Sequence, residues 1–291
     1  MEIFELRYFL SVAEIESVNQ AAKNINISPG SLSKAVSRLE DELHVKLFFR
    51  VGRGIKLTPE GRQLKARATQ ILQLEEDTRF EIGGSDSTNI NIYISSEEIL
   101  QASFGLSLAK QINKKLPFAK IKFLTREETK AIEQVNEGEA HIAIITGEPP
   151  KKLKSKAIDQ VNFITCASKK HPLVKKYGVN KAIPVEESVK HSFVSPELAI
   201  LGRIKNSTSL DGWRDDKFPR QIQYKVSGLK LMENLIHSGM ALGYLPDYFI
   251  KESNLVPLEI TGCPYSCKQT VRLLTSPTSE LRWLEELWTT L

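Results

Sequence analysis

The chain of 291 residues is poor in cysteine and histidine, with three of the first and five of the second. Cys166, Cys263 and Cys267 are too few to frame a disulfide-stapled secreted domain. Cys263 and Cys267 have no second pair beside them, so they do not spell a zinc site. The histidines (His44, His141, His171, His191 and His237) are scattered without HExxH spacing, and no Walker-type glycine-rich loop occurs. No uncharged apolar run approaches the roughly 18 residues of a membrane span. Glu2 and Glu5 stand where a secretory signal would be basic. Nor is there a large excess of one charge: 40 Lys+Arg face 35 Asp+Glu. With 41% hydrophobic and 26% charged residues, the composition is that of a globular protein of two or three domains. The expectation is a cytoplasmic protein, not an enzyme, that needs no metal or cofactor and no membrane.

Charge is unevenly placed. Residues 1–88 hold 12 basic and 13 acidic side chains, a poor total for binding a polyanion. Within them, residues 23–67 hold 10 basic against 4 acidic, so one stretch is strongly basic. A partner senses this local potential more than the sum. Charge alone is equally consistent with a solvated surface.

Periodicity decides between these. Leu6, Phe9, Leu10 and Ala13 share one helix face. Ser17 caps a second short helix with Ala21, Ala22 and Ile25 inward. Asn26-Ile27 turns the chain, and Ser28-Pro29 provides an N-cap and a proline at the first helical position. The third helix is expected to run to about Leu43, with Leu32, Val36, Leu39 and Leu43 inward. Its outward row is Gly30, Ser31, Ser33, Lys34, Ser37 and Arg38. Two short helices, a turn and a third helix make a helix-turn-helix. The small outward residues admit the third helix deep into a major groove, where Lys34 and Arg38 reach bases or phosphates.

Two apolar runs then flank Gly52-Arg53-Gly54, a hairpin with a basic tip that can place Arg53 in a minor groove. Arg50 is either a DNA contact or a structural partner of the third helix's acids. Thr58-Pro59-Glu60 opens a long helix over 59–82, ended by Gly83-Gly84. Leu64, Ala68, Ile71, Leu74, Thr78 and Ile82 form a seam that pairs most simply with a second copy. Packing on the chain's own C-terminal part is the alternative.

The ordered set Leu6-x-x-Phe9-x-x-Val12-Ala13, Ala21-Ala22, Ser28-Pro29-Gly30-Ser31-Leu32-Ser33-Lys34, Arg38-Leu39-Glu40, Leu43, Leu47-Phe48-x-Arg50, Gly52-Arg53-Gly54 and Leu57-Thr58-x-x-Gly61 resembles the winged helix-turn-helix and linker helix of LysR-type transcriptional regulators. The family usually has Arg where Lys34 stands, which removes bidentate guanine reading there. It usually has Gly where His44 stands, which predicts strain after the third helix. The resemblance implies an all-α winged helix-turn-helix domain at 1–58 and a linker helix with hinge at 59–87. It also implies an α/β effector domain at 88–291, two-lobed like periplasmic binding proteins. By resemblance the first lobe takes in about 88–165 and 268–291, and the second about 166–267.

The C-terminal sequence agrees in pattern. Strands are expected at 89–95, 120–124, 141–146, 163–167, 192–194, 222–226, 241–245 and 270–275, alternating with helices, which implies mainly parallel sheets. Ser227-Gly228, Ile236, Gly239, Gly243 and Leu245-Pro246 fit the same family's pattern. Ligands of such sheets sit beyond the carboxyl ends of strands, which selects Ser95, Ser96, Thr125, Thr146, Ser195 and Ser227 for a small-molecule effector. Ser95 with Glu98 also spells a capping box, and Glu97 and Glu98 would repel an anion. The lysines of 151–156 and 169–176 read as solvated surface. A redox pair between Cys166 and Cys263 or Cys267 is a weaker alternative use of the thiols.

The expected DNA-binding residues are Ser28, Pro29, Gly30, Ser31, Ser33, Lys34, Ser37, Arg38, Arg50 and Arg53, on a promoter dyad of double-stranded DNA. Leu64, Ala68, Ile71, Leu74 and Thr78 are the expected dimer contacts, with a tetramer and RNA polymerase as further partners. A cytoplasmic solute-binding receptor or an enzyme on the same two-lobe scaffold is the competing reading.

Overall fold

The computed structural model describes residues 1–52, 54–83, 90–179, 181–202, 204, 209–276 and 281–291. They form two compact units, Met1–Ile90 with Glu137–Glu139, and Asn91–Asn136 with Ala140–Leu291. The expected hinge at 84–87 lies outside the described residues.

The first unit is built from α1 (Ile3–Ile15), α2 (Val18–Asn24), α3 (Pro29–Leu43), the antiparallel pair β1 (Phe48–Val51) and β2 (Gly54–Leu57), and α4 (Pro59–Gly83). Each helix start has a local cause. Glu2 and Glu5 cap α1 reciprocally, Ser17 accepts the N–H of Gln20 before α2, and Ser28 accepts the N–H of Ser31 before α3. Thr58 accepts the N–H of Gly61 at 2.9 Å and donates to the Lys46 carbonyl at 2.6 Å, tying α4 to the start of the wing. Leu6, Phe9, Leu39, Leu47 and Ala68 are buried as one cluster, and Val12, Ala21, Ala22, Leu32 and Val36 as another. Each large apolar side chain so buried contributes about 1.5–3 kcal/mol.

Two expectations fail here. Leu43 is 37% exposed rather than inward, because the chain leaves the helix at His44. The seam on α4 is not free for a partner along its whole length. Ala68 is fully buried, and Leu64 and Ile71 are half-buried, against the same cluster as α1 and α3. Only its later turns, with Leu74 at 62% and Ile82 at 82% exposure, present apolar surface.

His44 adopts φ +55° and ψ +30°, the left-handed conformation that closes α3. A side chain there is strained relative to glycine. His44→Gly is therefore expected to stabilise the first unit by about 1 kcal/mol, less the greater chain entropy of glycine. A lowered unfolding midpoint in urea would contradict this.

The second unit begins with β3 (Asn91–Ser96), α5 (Glu98–Lys115), β4 (Lys120–Thr125), α6 (Glu128–Asn136) and β5 (Ile142–Ile145). β3 lies between β4 and β5, parallel to both. The long β6 (Lys154–Ala167) leads to α7 (Pro172–Tyr177), β7 (Ala182–Pro184), α8 (Val185–Ser188) and β8 (Ser192–Pro196). After these come β9 (Gln221–Val226), α9 (Leu229–His237), β10 (Gly243–Pro246), α10 (Asp247–Glu252), β11 (Val256–Pro257) and β12 (Glu259–Thr261). The chain closes with β13 (Lys268–Thr275) and α11 (Arg282–Trp288).

The sheets are more mixed than the alternation implies. β13 runs antiparallel to β5 and β6, and β10 and β11 run antiparallel to β6. The chain passes outward along β6 and back along β13, and a return path is necessarily antiparallel to the outward one. β6 pairs β13 over 154–162, then β10 and β11 over 163–167, so a single strand belongs to both lobes.

Candidate functional site

On the first unit, Ser28, Pro29, Gly30, Ser31, Ser33, Lys34, Ser37 and Arg38 are all exposed on α3. Ala35, Val36 and Leu39 on the opposite side are buried. The eight residues thus form one small-residue face with two cations. Those cations differ. Arg38 Nη2 lies 2.6 Å from Glu5 Oε1 and its guanidinium lies over the Phe4 ring, so Arg38 is held against α1. Glu5 is buried, fixed by the Glu2 N–H at 2.8 Å. Lys34 is exposed and has no ion pair among the described residues.

Glu40 explains the wing. One of its carboxylate oxygens accepts the N–H groups of Leu47 (2.8 Å) and Phe48 (3.3 Å), and the other takes Lys46 at 2.7 Å. Of the third helix's acids, Glu40 therefore holds Lys46 and the backbone and Glu42 pairs with the N-terminal amine, and neither takes Arg50. Arg50 is exposed, with no ion pair among the described residues. Arg53 lies outside the described residues.

In the second unit a cavity of about 600 Å³ opens between the lobes. Thr146, Gln269 and Arg272 line it from the first lobe, Trp213, Tyr244 and Tyr265 from the second. Arg214 lies 4.5 Å from the Tyr265 ring and is paired to Asp216 at 2.6 Å. Behind the wall, Arg220 is bound to Asp211 and Asp215 and lies 5.2 Å from the ring centres of both Phe193 and Trp213.

Of the six residues selected at strand ends, Thr146 lines this cavity. Ser95 is buried in β3 and donates to Gln134 Oε1 at 2.8 Å. It does not cap α5, because β3 keeps pairing through Ser96 on both sides and the helix starts only at Glu98. Ser96 and Ser195 are buried, whereas Thr125 and Ser227 are exposed at the ends of β4 and β9. The aromatic wall was not anticipated. The turn Asp211-Gly212-Trp213, with Gly212 at φ +83°, was the available signal for it.

Cys166, Cys263 and Cys267 are all free thiols. Burial pushes the Cys166 thiol up and raises Cys267 to about 12, so neither is a reactive thiolate near neutrality. No group of three metal-ligating side chains occurs among the described residues. Among the described residues no helix is long and apolar enough to cross a membrane.

A winged helix-turn-helix joined in one chain to a two-lobed α/β domain around a cavity defines a DNA-binding regulator with a ligand-sensing domain. Comparison with known proteins agrees. The model of the bacterial regulatory helix-turn-helix protein, lysR family, matches residues 3–62, and that of the LysR substrate binding domain matches 91–288. The chain is 32% identical to the transcriptional regulator IlvY of Escherichia coli over 261 residues, 87% of this chain and 84% of that one. It is 30% identical to GltR of Bacillus subtilis over 176 residues, 60% of this chain and 59% of the relative. Full-length CbnR bound to its target DNA is similar across 100% of this chain and 98% of that one, with TM-score 0.73 and 17% identity. A full-length OxyR variant from Pseudomonas aeruginosa is similar with TM-score 0.66 and 20% identity over 100% of this chain and 94% of that one. The chain belongs to the LysR family and is a transcriptional regulator.

Proposed function

We propose that the chain acts in the cytoplasm, reading a dyad-symmetric promoter site as a dimer and responding to a small-molecule effector in the interlobe cavity. The observation that carries the DNA part is the exposed face of α3, where small residues surround Lys34, which has no ion pair among the described residues, with Arg50 at the wing. Residues 1–58 serve as the DNA-reading domain, 59–87 as linker and 88–291 as effector domain. Two-fold pairing demands matching half-sites. Leu74 and Thr78, with Ile71 and Ile3, border a shallow apolar groove on the first unit, the part of the seam left for a second copy. An effector that prefers one lobe geometry shifts the population of dimer arrangements, including a tetramer that bends DNA and meets RNA polymerase.

The test is selection from a random library of short DNA duplexes, followed by salt titration of the winning sequence. A two-fold symmetric motif is expected. Lys34→Ala and Arg50→Ala should each weaken binding about tenfold and lower the slope of log affinity against log salt by about one. Enrichment without a motif, or unchanged slopes in both variants, would remove α3 and the wing from the interface.

A further inference from the structure

The first lobe reverses its strand order beside β3: the chain leaves β3 for β4 on one side and returns at β5 on the other. Ligands of open α/β sheets lie at the carboxyl ends of the strands at such a reversal. Here that point holds Ser96 at the end of β3, Glu97 just after it, Thr146-Gly147 after β5, and Glu128 in the first turn of α6. Both carboxyl groups are buried, with Glu97 5% and Glu128 4% exposed.

One oxygen of Glu128 is saturated. Oε2 accepts the Thr146 N–H (2.8 Å), the Gly147 N–H (2.9 Å) and the Thr146 hydroxyl (3.1 Å). The other oxygen, Oε1, is buried without a hydrogen-bond partner among the described residues, as are Glu97 Oε2, Ser96 Oγ and the Tyr248 hydroxyl from α10. A Cβ on Gly147 would fall 2.2 Å from Glu128 Oε1, so only glycine lets the carboxylate sit this close to the chain after β5. Buried polar atoms without partners are costly, and three of them here belong to adjacent or facing residues.

Among the described residues no cation offsets this cluster. The charged and titratable groups acting on Glu97 are Glu128, whose backbone N–H also donates to it, Glu127 beside it, and Tyr248 across from α10. Burial and the Glu128 carboxylate push Glu97 up to about 8. Near neutrality Glu97 therefore keeps its proton.

We infer that the Glu97–Glu128 pair is the subsite for a protonated amine at one end of the effector. This rests on the reading that the interlobe cavity binds an effector. Thr146, hydrogen-bonded to Glu128, forms part of that cavity's wall, so Glu128 lies directly behind it, with Glu97 against Glu128. An ammonium group offers N–H donors to Glu97 Oε2, Glu128 Oε1 and Ser96 Oγ. On binding, the ammonium enters with one positive charge and the Glu97 proton leaves to solvent. One positive charge enters as one leaves, so the exchange adds no uncompensated charge to the interior. An alcohol or a carboxylate of the same shape lacks this exchange, and the carboxylate is repelled.

The test uses the full chain and a set of amino acids and short alkyl diamines, each matched by the compound bearing hydroxyl in place of ammonium. Thermal shift finds binders, and calorimetry in two buffers of different ionisation enthalpy counts protons. An amine should raise the melting temperature where its alcohol does not, releasing about one proton on binding at neutral pH. Glu97→Gln should abolish both effects. Equal shifts from amine and alcohol, no shift from any amine, or unchanged amine binding in Glu97→Gln and Glu128→Gln would overturn the inference. An amine-free binder whose shift disappears in Trp213→Ala would also overturn it, while leaving the cavity as the effector site.

The folding of the variant is checked by its pH profile. Glu97 binds its proton up to about 8 in the fold against an ordinary value of 4.5. Its contribution to stability is full below 4.5 and is lost as pH rises through about 8. Glu97→Gln, neutral throughout, should fold and lack that decline.

Discussion

Arg220→Met is expected to destabilise the second unit by about 3–5 kcal/mol, because it strands buried charge. The Arg220 and Asp211 side chains are both fully buried. The guanidinium reaches Asp211 at 2.8 and 3.2 Å and Asp215 at 2.9 and 2.8 Å. Asp215 retains access to water and can rehydrate, but Asp211 cannot. Asp211 also accepts the N–H of Trp213 at 3.2 Å, and Trp213 lines the cavity, so the loss should extend to ligand binding. Urea unfolding of the full chain measures it. A second substitution, Asp211→Leu, should recover part of the loss by removing the stranded carboxylate. A single-variant cost below about 1 kcal/mol would mean that the network is already hydrated.

Gly61→Ala should cost the first unit about 3 kcal/mol, at the upper end for a single overpacked methyl. Most added methyls push against side chains that can turn aside. This one would fall 2.1 Å from the Leu47 carbonyl oxygen and 2.9 Å from Leu57 Cδ2. The Leu47 carbonyl cannot retreat without breaking its 3.0 Å bond from the Thr58 N–H. The start of α4 would then separate from the base of the wing. DNA affinity should fall together with the unfolding midpoint, and wild-type values of both would show that α4 can shift without cost.

The first unit was readable in the sequence because its signals are local. Ser17, Ser28-Pro29 and Thr58-Pro59 each cap the helix they precede, and the three/four spacing of Leu6, Phe9, Leu32, Val36 and Leu39 marks the core. What escaped there was long-range. Nothing in the spacing of Leu64, Ala68 and Ile71 distinguishes a partner's helix from α1 of the same chain. Arg38 on one helix and Glu5 on another likewise meet only in the fold.

The second unit was legible in its strands more than in its site. β3, β4, β5, β8 and β9 carry apolar runs, while β7, β11 and β12 have two or three residues each and leave no periodicity to detect. α7 starts from His171, whose ring Nδ1 accepts the Leu173 N–H, a cap outside the usual small polar residues. The strand-end rule found Thr146 but not Trp213 or Tyr244, since Tyr244 sits within β10 and Trp213 in a turn, neither at the carboxyl end of a strand. The same rule selected Ser96 without foreseeing that Glu97 would turn inward beside Glu128.

The paired strands β6 and β13 have a mechanical consequence. Both strands carry the chain between the lobes, so pulling the lobes apart along them loads two extended backbones at once, whereas rotating one lobe against the other only adjusts the twist that such ladders already carry. The pair is therefore stiff to tension and soft to torsion, like a torsion bar. The bar is irregular at one place, between Val271 and Arg272, where the register shifts. Arg272 and the neighbouring Thr270 and Gln269 line the cavity. A ligand bound there would touch the bar itself, and its effect on the lobes would be a change of angle more than of separation.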